Sequence, residues 1–246
     1  MDLGNRVVLL TGAKRIGDAV ARAVAARGAD VAIAYRSSKS EAENTAAAVQ
    51  AAGRRALIVQ ADVSDPAACV ALVDAVGKHF NRLDVLVNMA SVYQAVPIGE
   101  LGPAAWRRHL GVDLDGTFFC SIAALPLLRK AGGGRIVNFS DWLPTSGRPR
   151  YKSYATYYVA KAGVKALTEA LALEVAGDGI LVNAIAPGPI LAPPDTSEQE
   201  HEAVERNIPI GRWGGPEAIV TAVLALIESD FMTGETIRVD GGRHLY

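Results

Sequence analysis

Cysteine is nearly absent from this chain. Cys69 and Cys120 are the two thiols in 246 residues, each inside an apolar helical pattern, which excludes a disulfide framework and fits two core thiols in a reducing compartment. Histidine is as scarce. His79, His109, His201 and His244 are scattered without the spacing of metal ligands, so no metal site is expected. An excess of charge of either sign is also missing. The 25 basic and 26 acidic residues are well mixed and leave a formal net charge of −1, which argues against a nucleic-acid partner or an anionic membrane surface. No uninterrupted apolar run approaches the ~20 residues of a membrane span, and the N-terminal M-D-L-G-N-R has no signal-like apolar core. A G-x-S-x-G elbow and a Ser–His–Asp arrangement are lacking, so hydrolase chemistry is not indicated. These absences predict a soluble, cytoplasmic protein, with no nucleic acid, membrane or metal involved.

What is present is apolar residue in quantity, half of the chain, enough for one large core spanning 1–246 as a single domain. Short apolar runs alternate with helix-patterned stretches. R-V-V-L-L at 6–10 stops at T-G-A-K-R-I-G and is followed by a helix. V-A-I-A-Y at 31–35 precedes a helix with Ser40 as its expected cap. A-L-I-V-Q ends just before Asp62, and L-D-V-L-V-N fills 83–88. One long helix is expected from Trp106 to Leu128, a fifth strand over G-R-I-V-N-F-S, a helix near 156–175 and a sixth strand in G-I-L-V-N-A-I-A. A last helix near 216–228 precedes T-I-R-V-D-G-G. Repeated βα units with nearly continuous apolar strands predict an α/β fold, a single doubly wound parallel sheet of about seven strands with helices on both faces. Neither a linker nor a repeat interrupts it. The irregular stretch near 187–215, from P-G-P-I-L-A-P-P-D to I-G-R-W-G-G-P, reads as a flap over a site.

The chemistry-bearing stretch runs from Ile136 to Lys161. Tyr157 and Lys161 stand four residues apart with no Gly or Pro before Gly163, so on a helix they share a face. A phenol with a reference pKa of about 10 is a sluggish proton donor at neutral pH, and a neighbouring ammonium is expected to lower it. In an open parallel sheet the ligand lies beyond the carboxyl ends of the strands. Thr11, Gly12, Asp62, Asn88, Ser91, Ser140, Asp141 and Pro187 all follow strands there. A glycine turn opening onto a helix N-terminus suits a pyrophosphate, which free N–H groups and the helix dipole attract.

The sequence carries T-G-x-x-x-x-G after strand one, D-V after strand three, N-M-A after strand four, Y-x-x-x-K after strand five and P-G after strand six. In this combination it resembles the short-chain dehydrogenase/reductase family along essentially its whole length. The resemblance implies a single Rossmann-type domain, a nicotinamide cofactor, a Tyr–Lys pair assisted by Ser or Asp, and a homotetramer. Matched position by position, it assigns catalysis to Asp141, Tyr157, Lys161, Asp113 and Ser140. The cofactor falls to Thr11, Gly12, Lys14, Arg15, Ile16 and Gly17 of the turn, to Tyr35, Arg36 and Ser37 after strand two, and to Asp62, Val63, Asn88 and Ala90. Lys161, Pro187, Gly188 and Ile190 complete that set.

The sequence departs from the family pattern in three places. Gly12 and Gly17 are one residue closer than the outer glycines of the usual T-G-x-x-x-G-x-G. Asp113 stands where relatives have a helical Asn. Asp141, with Ser140 before it, stands where they have Ser. The last feature, with K-R-I-G at 14–17, resembles the pteridine and dihydropteridine reductases, which implies substrate contacts from Arg15, Ser91, Tyr93, Asp141, Trp142 and Tyr157. Strand two ends A-Y-R-S-S without an acidic residue, so NADPH is the expected cofactor, its 2′-phosphate met by Arg36 and Ser37. The expectation is therefore an NADPH-dependent carbonyl or imine reductase, with a pteridine favoured, a 3-oxoacyl thioester or other ketone as the alternative, and a non-catalytic dinucleotide sensor as the rival class.

Overall fold

The computed structural model describes residues 1–246 except Ala13, Arg148, Pro194, Asp195 and Tyr246. Of the expected flap, Pro194 and Asp195 thus lie outside the described residues. Strand β1 (Val7–Thr11) leads through α1 (Ile16–Ala26) to β2 (Asp30–Tyr35), α2 (Lys39–Ala51), β3 (Ala56–Gln60), α3 (Pro66–Phe80) and β4 (Val85–Asn88). Two helical stretches follow, α4 (Pro103–Leu110) and α5 (Gly116–Lys130), then β5 (Gly134–Phe139), α6 (Trp142–Thr145) and α7 (Ala155–Val175). The chain closes with β6 (Ile180–Pro187), α8 (Glu198–Glu205), α9 (Pro216–Glu228) and β7 (Thr236–Val239).

All seven strands form one parallel sheet in the order β3-β2-β1-β4-β5-β6-β7. The strands are apolar throughout because both faces are covered, and neighbouring residues serve opposite layers. Val8 and Leu10 of β1 pack into the layer of Val20, Val24, Ile219 and Val223 from α1 and α9. Val7 and Leu9 pack into the opposite layer with Leu72, Val76 and Leu128 from α3 and α5. Each fully buried Leu or Val contributes roughly 1.5–3 kcal/mol relative to exposure. Those two layers hold the strand ends rigid. The order reverses between β1 and β4, and the crevice outside the carboxyl ends at such a reversal is where an open α/β sheet takes its ligand.

Local differences from the sequence reading have physical causes. Ser40 is not the cap of α2. That helix begins at Lys39 after Ser38, which makes no side-chain capping bond, so Ser40 lies in its first turn. The expected helix from Trp106 to Leu128 spans Pro103–Lys130 but is interrupted by a π-turn at Gly111–Asp115. This wider turn coincides with a tight approach, since a Cβ on Gly116 would lie 2.8 Å from Val63 Cγ2. By length and composition alone this helix could cross a membrane. In the fold half of its most apolar window is buried, and Cys120 and Leu128 of α5 share a core layer with Leu72 of α3.

Candidate active site

The π-turn, the end of β5 and the first turns of α7 meet at one place. Helical spacing puts Tyr157 and Lys161 on one face of α7, and both are buried. The Lys161 ammonium donates to Phe139 O at 2.8 Å and lies 3.3 Å from Asp113 Oδ1. Asp113, fully buried, accepts a short hydrogen bond from Ser91 Oγ and another from Val92 N at 3.0 Å. The carboxylate at the family's Asn position therefore neutralises the lysine directly, and the π-turn is what aims it there.

Ser140 and Asp141 divide the work that the sequence left ambiguous. Ser140 Oγ donates to the Lys161 backbone carbonyl at 2.9 Å, tying β5 to α7. Asp141 caps α6 through Leu143 N at 2.8 Å, and its other oxygen accepts from the Tyr157 hydroxyl at 2.9 Å. It is both a cap and the partner of the tyrosine. Burial pushes its carboxyl up to about 6, against the opposing pull of the Leu143 N–H, the Tyr157 hydroxyl and Lys161. The Tyr157 phenol is raised well above its ordinary value, first by burial, then by the Asp141 and Asp113 charges. The expectation that Lys161 lowers the phenol is thus reversed in the folded protein. Loss of solvent and two carboxylates outweigh an ammonium already engaged by Asp113 and lying 5.7 Å from the ring centroid.

Aromatic rings wall this place. Tyr93 stacks on Tyr154 with centroids 4.8 Å apart and meets Tyr157 edge to face at 5.0 Å. Burial raises the Tyr93 phenol. Trp142, 4 % exposed, meets Tyr151 at 6.3 Å.

Towards β1 the same cleft, about 1140 Å³, runs along the strand ends. Thr11 Oγ1 accepts from Met89 N at 3.0 Å and Ala90 N at 3.2 Å, joining β1 to β4 at the switch point. Gly12 has φ 103°, and a Cβ on Gly17 would stand 2.1 Å from Gly12 O. Only hydrogen fits at that second position. Lys14 lies 3.1 Å from Glu41, while Arg15, at φ 53°, donates to Ala192 O of the flap at 2.6 Å. Ile16, Tyr35, Arg36, Ser37, Asp62, Val63, Ala90, Pro187, Gly188 and Ile190 also line the cleft. Gln60 fixes the turn after β2 by donating to Arg36 O at 3.0 Å.

Gly17, Asn88 and Asp113 stand behind the lining rather than in it. The Asn88 amide turns inward to Asn138 Oδ1 at 2.9 Å and Ser121 Oγ at 3.1 Å. Tyr151, Tyr154 and Arg243 belong to the neighbourhood of the site without having been marked by any motif. The Y-K-S-Y aromatic spacing before Tyr157 was the one signal for the tyrosines.

The residues present fit a dinucleotide. A glycine turn, with positive φ at Gly12 and no room for a Cβ at Gly17, opens onto the N-terminus of α1, whose cap residue Arg15 supplies no side-chain bond, and the dipole of that helix favours an anion there. The cleft then continues past β4 to the Tyr157 hydroxyl. The fold and the site together define a nicotinamide-dinucleotide oxidoreductase on a Rossmann-type sheet. Residues 12–244 match the family model described as Enoyl-(Acyl carrier protein) reductase, and the chain belongs to the short-chain dehydrogenase/reductase family.

It is 39 % identical over 253 residues to 3beta-hydroxysteroid dehydrogenase 1 of Eggerthella lenta, covering 100 % of this chain and 96 % of that one. It is 34 % identical over 245 residues to the 3-oxoacyl-[acyl-carrier-protein] reductase of Synechocystis, covering 98 % of each. Among solved structures, the short-chain dehydrogenase/reductase of Serratia marcescens superposes with a TM-score of 0.91 at 31 % identity, over 99 % of this chain and 100 % of that one.

Proposed function

We propose that this protein is an NADPH-dependent reductase of ketones, with Tyr157 as the proton donor. The observation that carries this reading is the 2.9 Å hydrogen bond from the Tyr157 hydroxyl to a buried Asp141, one helical turn from Lys161. When bound, NADPH supplies the hydride. The glycine cradle and the N-terminus of α1 would hold its pyrophosphate, Arg36 and Ser37 its 2′-phosphate, and Lys161 its nicotinamide ribose.

The protein's own part is proton delivery. As carbonyl oxygen gains negative charge, Tyr157 donates its proton and is recharged from Asp141, which in its protonated form points a hydrogen at the phenol oxygen. Asp113 balances Lys161 and so offsets the ammonium's stabilisation of a phenolate, which keeps the proton on Tyr157 until substrate arrives. The intact relay weighs against a non-catalytic sensor.

Ketones are favoured over pterins because the groups a pterin needs have other partners. Ser91 is given to Asp113, Arg15 to Ala192 O, and one face of Tyr93 to Tyr154. The names of the relatives, a hydroxysteroid dehydrogenase and a 3-oxoacyl reductase, point the same way. Dihydropterin reduction is the second reading, favoured by Asp141 in place of Ser and by the aromatic ring of Tyr93. Steady-state NADPH oxidation with ring and aryl ketones, an acetoacetyl thioester and dihydrobiopterin separates the two. At least one ketone should exceed the pterin in kcat/KM by about tenfold or more. Turnover of the pterin with none of the ketones would reverse the order.

The reading keeps the protein in the cytoplasm as a homotetramer. Supporting assembly are Phe118 and Ile122 of α5 and Val159 of α7, apolar side chains more than two-fifths exposed. Light scattering on the purified chain measures it.

A further inference from the structure

The C-terminal T-I-R-V-D-G-G-R stretch has no part in proton transfer, yet it delivers a cation to the reacting end of the cleft. Arg243 lines that cleft, and its guanidinium lies over the Trp142 ring, 5.3 Å from the centroid. Trp142 directly follows Asp141 in the chain, and Tyr151, Tyr154 and Tyr157 continue from it by ring contacts of 6.3 and 6.4 Å. Arg243 and the proton donor thus stand at two ends of one aromatic wall.

The seat of Arg243 is rigid. Asp240 accepts from Gly242 N at 3.0 Å, His244 N at 3.0 Å and His244 Nδ1 at 2.7 Å, so a single carboxylate closes the turn around residue 243. Gly241 and Gly242 have φ of 61° and 83°, and a Cβ on either would come within 2.7 to 2.9 Å of Ile208 or Pro209. Asp240 itself is pressed against the end of β6, where a Cβ on Gly188 would meet Asp240 Cβ at 2.5 Å.

Among the described residues no carboxylate pairs with this guanidinium, and its Nε is buried with no hydrogen-bond partner. The nearby acids are already used. Asp240 closes its own turn, Asp141 serves Leu143 N and Tyr157, and Glu200 caps α8 through Ser197. A guanidinium fixed on an aromatic face, with its natural counter-charge missing, matches the planar two-point geometry of a carboxylate. We propose that Arg243 is a substrate-recognition residue and that the ketone reduced here carries a carboxylate, separated from its carbonyl by a ring that lies in the cleft beside Tyr151, while Trp142, with Arg243 and Arg150 both over its ring at 5.3 and 5.2 Å, anchors the cationic end. This rests on the reading of Tyr157 as proton donor to a ketone, and it adds the chemical class of the substrate.

The test compares 4-acetylbenzoate with the neutral, nearly isosteric 4-acetylbenzamide. Steady-state NADPH oxidation is measured in wild type, Arg243→Gln and Arg243→Lys, and binding of both compounds to the enzyme–NADP⁺ complex by calorimetry. Wild type should favour the acid in kcat/KM and in affinity by about 10- to 100-fold, the range of a charge-assisted hydrogen-bonded pair. Arg243→Gln should bring that ratio close to one, and Arg243→Lys should restore part of it. A wild-type ratio near one, or a ratio that survives in Arg243→Gln, overturns the proposal. Discrimination in binding that depends on Arg243, without turnover of either compound, would uphold the anion site and sink the ketone-reductase reading instead.

Discussion

Lys161 Nζ lies 3.3 Å from Asp113 Oδ1, with both side chains almost completely buried. The pair joins α7 to the π-turn, and the ammonium also donates to Phe139 O. Replacing Asp113 by Ala leaves an uncompensated buried charge and should cost about 3–5 kcal/mol of stability. Urea unfolding measures it. The double variant Asp113→Ala with Lys161→Met, which removes both charges, should recover most of that loss. A double variant no more stable than Asp113→Ala would mean that the two charges are not coupled.

Tyr157→Phe keeps the ring that packs against Tyr93 and removes the transferable proton. Turnover should fall by about 10²–10⁴, while NADPH binding, read by the fluorescence of the reduced nicotinamide, changes little. Tyr158 is not among the residues that line the cleft and should tolerate Phe. An inactive Tyr158→Phe beside an active Tyr157→Phe would reassign the donor.

Asp141 gives a pH signature. Its carboxyl, pushed up to about 6 by burial, is protonated below that pH and then points a hydrogen at the Tyr157 oxygen, leaving the phenol hydrogen free for the substrate. Reduction should therefore slow as pH rises through about 6, and Asp141→Asn should lack that limb. Stability has the same sign. A carboxyl raised from its unfolded value holds more protons in the native state, so its contribution is complete below pH ~4 and is lost as pH rises through 6, by about 3 kcal/mol in total. Unfolding free energies measured from pH 4 to 7 should show this slope in wild type and not in Asp141→Asn.

Arg36 sets cofactor choice in this account. It and Ser37 line the cleft after β2, where the chain reads Y-R-S-S-K with no acidic side chain. Arg36→Ala should lower the NADPH-to-NADH ratio of kcat/KM by about tenfold or more, the worth of one charge-assisted contact to the 2′-phosphate. An unchanged ratio would move the phosphate contact elsewhere.

The amino-acid sequence by itself determined the alternation of buried strands and helices, and with it the parallel sheet and the crevice at its carboxyl ends. Apolar runs such as V-A-I-A-Y and the four-residue step from Tyr157 to Lys161 are local patterns, and local periodicity is enough to place them on a strand or on one face of a helix. It also placed the glycine turn, because a φ of 103° at Gly12 and the contact that bars a Cβ at Gly17 both call for glycine. Tertiary structure decided the rest. Ser140 and Asp141 are adjacent in sequence, and only the crossing of β5 over α7 gives one to a backbone carbonyl and the other to Tyr157. Asp113 reaches Lys161 across 48 positions because a π-turn rotates it inward, a change of register that no side-chain pattern announces. The sign of the shift on Tyr157 was decided the same way, since an ammonium four residues away is legible in a sequence whereas the desolvation and the two carboxylates that outweigh it exist only once the elements have packed.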